Sequence, residues 1–305
     1  MRISVIVATR NRSYAIASCL DSIAISLSKA APISAEIVVV DNGSEDQTPT
    51  VIEKWAKNSP FPVRHLVESR TGLSRAHNAA LKIAQGDLLA FTDDDCCLNE
   101  NYVNDLLRHD AKDTELVLRG GRIELGDPTD LPLTIKTSPD IIQWKRSLNS
   151  ARSQPIPGQI NGCNMTMRRA LVQKIGYFDE NFGPGSAMGS GGDSDYLFRA
   201  YLAYCALEYV PNMTVIHFHG RKSPCQGYNL LRNYLKGTGA VYAKHCWKDL
   251  NLCRPFWWDL KNALKETITG KNTWLPAIGF SHKHKVFYSL VGAFRYILYL
   301  PFLKY

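Results

Sequence analysis

The first apolar run, Ile3-Ser4-Val5-Ile6-Val7-Ala8, is nearly continuous rather than alternating. That is the pattern of a parallel strand buried on both faces. Ile16, Leu20, Ile23 and Leu27 then recur at three- and four-residue spacing and predict a helix over 13–28. A second apolar run over 36–40 ends on Asp41. The three segments form a strand–helix–strand unit, for which a right-handed crossover is expected. Helices over 49–57 and 74–84 lead to a third strand, 87–92, which ends on Asp93-Asp94-Asp95.

Beyond Asp95 the pattern is mixed. It gives a helix over 101–110, a strand over 115–120, and a polar, Pro-containing stretch over 126–158 expected to be loop or mobile flap. A short helix over 169–175 follows, then a Gly-rich run over 183–192 that opens onto Asp193-Ser194-Asp195 and a helix through Tyr204. Short strands are expected at 207–210 and 213–219. From Pro224 onward the chain reads as helical, basic and aromatic, and no internal repeat is visible. The expected class is therefore α/β: a mostly parallel sheet flanked by helices over 1–223, with a helical C-terminal region over 224–305.

Composition narrows this little. The 305 residues are 45% hydrophobic and 21% charged, which excludes a disordered chain. Eight cysteines without CxxC spacing point to a reduced, cytosolic protein. The opening apolar run is too short for a signal peptide and shows no cleavage site.

Charge changes the picture more. Residues 221–305 hold 14 Lys/Arg against 3 Asp/Glu, whereas residues 1–220 hold 22 against 25. A mildly acidic body with a strongly basic tail predicts contact with something anionic, or more plainly a solvated basic surface. Nucleic acid is not an expected partner, because no recognised motif accompanies the charge. Residues 286–303 are about as long as a minimal membrane span. Arg295 at its centre typically costs roughly 2.5–3.5 kcal/mol, and Pro301 breaks its end. Ser289, Gly292, Arg295 and Tyr299 form a small or polar stripe, with Leu290, Phe294, Ile297 and Leu298 elsewhere and Lys283, Lys285 and Lys304 flanking. A helix lying in the interface, peripheral on the inner face of the membrane, fits better than one crossing it; packing on the rest of the chain is the alternative.

The candidate chemistry sits at strand ends. In an open parallel sheet, ligands bind beyond the carboxyl ends of the strands, where Asp41 and Asp93–Asp95 fall. No GxGxxG follows either strand and no GxxxxGK[ST] is present, which argues against a Rossmann dehydrogenase and a P-loop NTPase. Three adjacent carboxylates repel one another unless a cation is bound, and Mg²⁺ or Mn²⁺ with phosphate oxygens would resolve this. A helix N-terminus is the competing explanation, but it needs one acid and not three. Asp193, after a flexible glycine stretch, suits a general base toward a hydroxyl, or else a helix cap. His217 and His219 alternate by two, so both face one side; they could ligate a metal or be structural.

These residues, taken in order, resemble the inverting family 2 glycosyltransferases. The segments are Thr9-Arg10-Asn11-Arg12, Val40-Asp41-Asn42-Gly43-Ser44-Glu45-Asp46, Gly72-Leu73-Ser74-Arg75-Ala76-His77-Asn78, Phe91-Thr92-Asp93-Asp94-Asp95 (similar to the DxD site), and Gly162-Cys163-Asn164-Met165-Thr166-Met167. Each alone is weak; the ordered set is specific, and it spans about residues 3–223. The resemblance implies a GT-A fold, a nucleotide-sugar donor (UDP-sugar by the family's commonest habit) and Mn²⁺ or Mg²⁺. It implies donor contacts from Thr9, Arg12, Asp41, Arg75, Asp93, Asp94 and Asn164, metal ligation by Asp95 with His219 or His217, and Asp193 as catalytic base. Gly192 stands where the family has Glu, which puts acceptor positioning in question.

A saccharide or lipid-linked saccharide acceptor is expected, with the basic, aromatic tail facing it and the membrane. The competing readings are a metal-dependent nucleotidyltransferase, which would need a basic triphosphate cradle in the first third, and a non-catalytic glycan- or nucleotide-binding protein.

Overall fold

The structure is a computed structural model that describes residues 2–30, 33–146, 155 and 157–302. In chain order its elements are β1 (Arg2–Thr9), α1 (Ile16–Lys29), β2 (Ser34–Asp41), α2 (Thr48–Lys57), β3 (Val63–Val67), α3 (Leu73–Ile83), β4 (Leu88–Asp93), β5 (Cys96–Leu98) and α4 (Tyr102–Asp110). There follow β6 (Val117–Leu125), β7 (Ile142–Trp144), β8 (Met165–Arg168), α5 (Arg169–Ile175), α6 (Gly192–Leu202), β9 (Ala206–His217), α7 (Pro224–His245), α8 (Arg254–Thr269) and α9 (His282–Tyr299).

One sheet runs in the order β3-β2-β1-β4-β8-β6-β9-β5, with β7 also on β9. The long pairings, β1–β2, β1–β4, β2–β3 and β6–β9, are parallel, and the short ones are antiparallel. Successive β1 residues face opposite sides, as strand geometry dictates. Val5 and Val7 pack under α1 and α4 with Ile16, Leu20 and Leu106. Ile6 and Ala8 join the other core with Ala76, Phe91, Tyr196 and Phe198. Apolar burial on both faces is what the near-continuous run required.

Three expectations are corrected. The two short strands expected near 207–219 are one strand, β9, whose register jumps between Gly121 and Arg122 of β6. The irregularity absorbs Pro211, Asn212 and Met213, so the ladder resumes beyond a residue that cannot donate to it. Cys246 and Cys253 are disulfide-bonded, against the expectation of a fully reduced chain. The turn between α7 and α8 folds back and brings their Cα atoms to 5.9 Å, a closeness spacing alone does not show. The 126–158 stretch contributes β7 and an isolated bridge, Ile123 to Lys136; its residues 147–154 and 156 lie outside the described residues, as does Leu303.

The small-residue stripe of α9 is the seam against α7. A Cβ on Gly239 would stand 1.8 Å from the Ser289 carbonyl oxygen, and one on Gly292 1.8 Å from that of Lys236. The two backbones touch there, and only glycine permits it. Tyr296, not Arg295, continues the buried row. Among the described residues no helix is long and apolar enough to cross a membrane.

Candidate active site

β1, β2 and β4 end side by side, with Thr9 in register with Asp41 and Ala8 with Asp93. The sheet thereby delivers Thr9, Asp41 and Asp93 to one edge. Asp41 is buried and accepts from the Ser44 amide at 2.9 Å, which shapes the turn after β2. Asn42 ties this turn to the next loop: its amide donates to the carbonyls of Glu68 and Arg70, and its oxygen accepts from Gly72 N. Gly72, at φ 145°, allows that approach and starts α3.

The three carboxylates share few donors. Arg12 Nε lies 3.4 Å from Asp94 Oδ1 and Arg12 Nη2 lies 3.3 Å from Asp95 Oδ2. The Thr9 hydroxyl is buried beside Asp94. His217 Nε2 stands 3.3 Å from Asp95 Oδ1. Burial first, then the Asp95 charge, pushes Asp93 up to about 7. Burial likewise pushes Asp94 up to about 6, against the pull of Thr9 and Arg12. For Asp95 burial acts the same way, but the His217 hydrogen bond and the charges of His217, Arg12 and Arg221 outweigh it and hold it below the usual range. Two carboxyls that resist ionisation beside one that does not are a set whose ionised form a bound cation would favour.

The chemistry of the donor set fits a hard divalent cation: carboxylate oxygens with one imidazole. The thiols of Cys96 and Cys163 lie behind His217, with all three ligand atoms within 4.8 Å of one another. The Cys96–Cys163 hydrogen bond raises Cys96 and lowers Cys163, but burial and the neighbouring acids leave both above the ordinary value. They are therefore neutral thiols at pH 7 and poor partners for Mg²⁺ or Mn²⁺.

Asp193 approaches from α6. Gly191, at φ 84°, turns the chain into the helix, and the Asp193 carboxylate accepts from Ser194 N at 2.7 Å and from Gly162 N at 3.3 Å. Burial raises its pKa, and it is near enough to raise Asp93 in turn. The preceding glycine loop is pinned rather than free: Ser74 Oγ donates to the Phe182 carbonyl at 2.8 Å and Leu73 N to that of Pro184 at 3.0 Å. A Cβ on Gly192 would meet Ser74 Oγ at 3.0 Å, a tight contact that a larger side chain would relieve by shifting that hydroxyl a few tenths of an ångström.

Two predicted residues depart from expectation. Asn164 is fully buried, and both ends of its amide are spent inside. Its oxygen accepts from Tyr102 at 2.8 Å, and its nitrogen donates to the carbonyls of Arg122 and Met213, each at 2.9 Å. It clamps α4, β6 and β9 together, with both amide hydrogens committed to these carbonyls. His219 is equally occupied, with Nε2 3.0 Å from the Leu131 carbonyl oxygen and Nδ1 accepting from Arg221 N at 3.0 Å. The histidine beside Asp95 is therefore His217 and not His219. Arg75 is half-buried and pairs with Glu180 at 3.2 Å.

Sequence reasoning gave no place at this site to Arg221, whose charge bears on Asp95, or to Tyr234 of α7, which it assigned to the lipid-facing tail and which lies near enough to feel the charges of Arg221, Asp193 and Asp93. The signal for Tyr234 was its place in the basic, aromatic tail.

A mostly parallel sheet carrying a carboxylate cluster at its switch point, with a buried acid facing it, is the arrangement of the GT-A fold. Residues 4–176 match the profile of glycosyl transferase family 2, and the chain belongs to that family. EpsH of Bacillus subtilis (strain 168) is 31% identical over 126 residues, covering 41% of this chain and 35% of EpsH. Poly(ribitol-phosphate) beta-N-acetylglucosaminyltransferase TarS of Staphylococcus aureus (strain Mu50 / ATCC 700699) is 34% identical over 105 residues, 34% of this chain and 18% of TarS. The chain thus matches about a third or less of these relatives' lengths. Among solved structures, TarS 1–349 superposes with a TM-score of 0.53 at 23% identity, over 88% of this chain and 77% of that one. The mannosyltransferase PcManGT from Pyrobaculum calidifontis, in complex with GDP-Man and Mn²⁺, gives 0.55 at 19%, over 97% and 72%.

Proposed function

We propose that this protein transfers a sugar from a nucleotide-diphosphate donor to a hydroxyl of a saccharide or lipid-linked saccharide acceptor, with inversion at the anomeric carbon. The observation that carries this is the Asp93–Asp95 cluster with His217 on one side and Asp193 facing it from α6. A UDP-sugar is the preferred donor, and a TarS structure contains UDP-GlcNAc; PcManGT, with GDP-Man, keeps the guanine donor as the comparison to test.

Asp95 and His217 would hold Mn²⁺ or Mg²⁺, which supplies charge stabilisation for the departing diphosphate. The buried Asp41 would accept from a nucleotide base, and Thr9 and Arg12 lie at the same edge of the sheet. Arg12 and Arg221 offer fixed positive charge where negative charge grows. Asp193, held by two backbone amides, accepts the acceptor proton on the far face. Its raised pKa makes it a stronger base than an exposed carboxylate. No covalent intermediate is required, so one in-line displacement inverts the configuration.

The division at 223/224 is proposed as a functional one: a catalytic body and a tail that meets acceptor and membrane. α8 exposes Trp257, Leu264 and Ile268 with Lys261 and Lys265, and α9 exposes Phe287, Leu290, Phe294 and Leu298 along one side. Apolar rows edged by Lys suit an anionic bilayer surface, with the chain peripheral to it. The test of the whole reading is product stereochemistry. With an α-linked UDP- or GDP-sugar, Mn²⁺ and oligosaccharide acceptors, proton NMR should show a β-linked product. An α-linked product, or cleavage of the nucleotide at the α-phosphate, would overturn it.

A further inference from the structure

Two cavities in the C-terminal half lie away from the carboxylates and have opposite character. One, of about 290 Å³, lies between α7, α8 and α9 and is walled by Tyr242, Ala243, Phe256, Trp257, Leu290 and Ala293. The other, of about 410 Å³, is lined by Arg146, Lys174, Arg199 and Lys248, with no acidic residue in its wall. They adjoin at consecutive residues. Trp247 belongs to the apolar cavity and Lys248 to the basic one, and the Lys248 ammonium stands 5.3 Å over the Trp247 ring.

We infer that this pair of cavities binds one phosphate-headed lipid drawn from the bilayer, its hydrocarbon chain between α7, α8 and α9 and its phosphate beside Lys248. The inference rests on the membrane-facing reading of α8 and α9 and is independent of the transfer chemistry. An apolar cavity of ~150 Å³ stays dry and holds benzene, so about twice that volume accommodates roughly a dozen carbon atoms. Its rim is open to the exposed face: Trp257 is 61% and Leu290 54% exposed, and both also line the interior. A chain can therefore enter from the surface that meets the membrane. The Cys246–Cys253 bridge lines the same cavity and fixes the α7–α8 turn at its wall.

The basic cavity supplies the charge complement. Arg199 is engaged by Asp195 at 2.9 Å and Arg146 by Asp249 at 3.6 Å, whereas no salt bridge among the described residues engages Lys174 or Lys248. A phosphate in the cavity would take charge-assisted hydrogen bonds from these two ammonium groups. Lys248 has its ring contact with Trp247 and faces the cavity.

The test uses the full chain with dodecyl phosphate below its micelle concentration, read by tryptophan fluorescence and calorimetry. Saturable binding is expected, with inorganic phosphate alone at least tenfold weaker. Ala293→Phe, which fills the apolar cavity and leaves the outer row of α9 unchanged, should weaken dodecyl phosphate at least tenfold while vesicle association persists. Ala243→Leu gives the same expectation from α7 should the first variant unfold. Lys248→Glu should weaken dodecyl phosphate but leave dodecyl maltoside unchanged. UDP binding with Mn²⁺ should equal wild type in all three, which shows them folded; absence of UDP binding by the wild type speaks only against the transferase reading. Absence of saturable binding, or undiminished binding by a folded cavity-filling variant, overturns the inference. So does sedimentation showing that a second copy covers the cavity.

Discussion

Glu36, at the start of β2, and the Asp93–Asp95 cluster, at the end of β4, sit at opposite ends of the same set of parallel strands; Glu36 and Asp94 are buried, and Asp93 and Asp95 are half-buried. Glu36 receives four donors: Ser4 Oγ at 2.6 Å, Arg64 Nε at 2.7 Å, Gln85 N at 2.5 Å and Arg2 Nη2 at 3.1 Å. Burial alone would raise its pKa, but these donors together hold it below the usual range. At the other end three carboxyls divide Arg12, His217 and Thr9 among them, and for two of the three burial prevails. The difference is the number of donors per carboxyl. A saturated acid locks the sheet, whereas an unsaturated cluster is what the proposed divalent cation would neutralise.

The comparison can be broken by changing each end separately. Asp95→Asn should reduce sugar transfer about 10³-fold at unchanged thermal stability, and Asp193→Asn roughly 10²–10⁴-fold, both read by nucleotide release. Glu36→Ala should do the reverse, costing about 3 kcal/mol in denaturant unfolding while the remaining folded enzyme turns over normally. If Glu36→Ala lost activity at full stability, the two ends would not be distinct.

Next in size is the pair of histidines. His217→Ala should weaken Mn²⁺ binding by about 10–100-fold. His219→Ala should instead lower stability, because it removes the link to Leu131 and Arg221 and leaves Mn²⁺ affinity near wild type. Equal losses of affinity in both would return His219 to the site.

The smallest effect is pH-dependent. Asp93 ionises near 7 when folded and near 3.8 when unfolded. Its contribution therefore favours the folded chain at low pH and is lost as pH rises through that window. Metal-free Asp93→Asn should accordingly melt several degrees above wild type at pH 8. The gap should shrink steadily toward pH 5, and a constant gap would contradict the raised pKa.

Much of this was legible in the sequence. β1, β2 and β4 announce themselves because burial on both faces leaves an apolar run, and their ends mark Asp41 and Asp93 without further help. β3 does not, since it is half-exposed and carries Arg64 and His65. β5 has only three residues and exists because β9 pairs with it. The choice between His217 and His219 depends on Leu131 and Asp130, which are remote in sequence and packed against His219. Asn164 shows the same limit. Its motif is visible, but the inward use of its amide depends on Tyr102, Arg122 and Met213 meeting in space.

The most direct test of the central claim is calorimetric titration of UDP, and in parallel GDP, with and without Mn²⁺, on wild type, Asp95→Asn and Glu36→Gln. The account predicts that one nucleotide binds only with Mn²⁺, that Asp95→Asn abolishes this, and that Glu36→Gln, while folded, does not. Binding that is indifferent to Mn²⁺ and to Asp95, or no binding of either nucleotide, would contradict it.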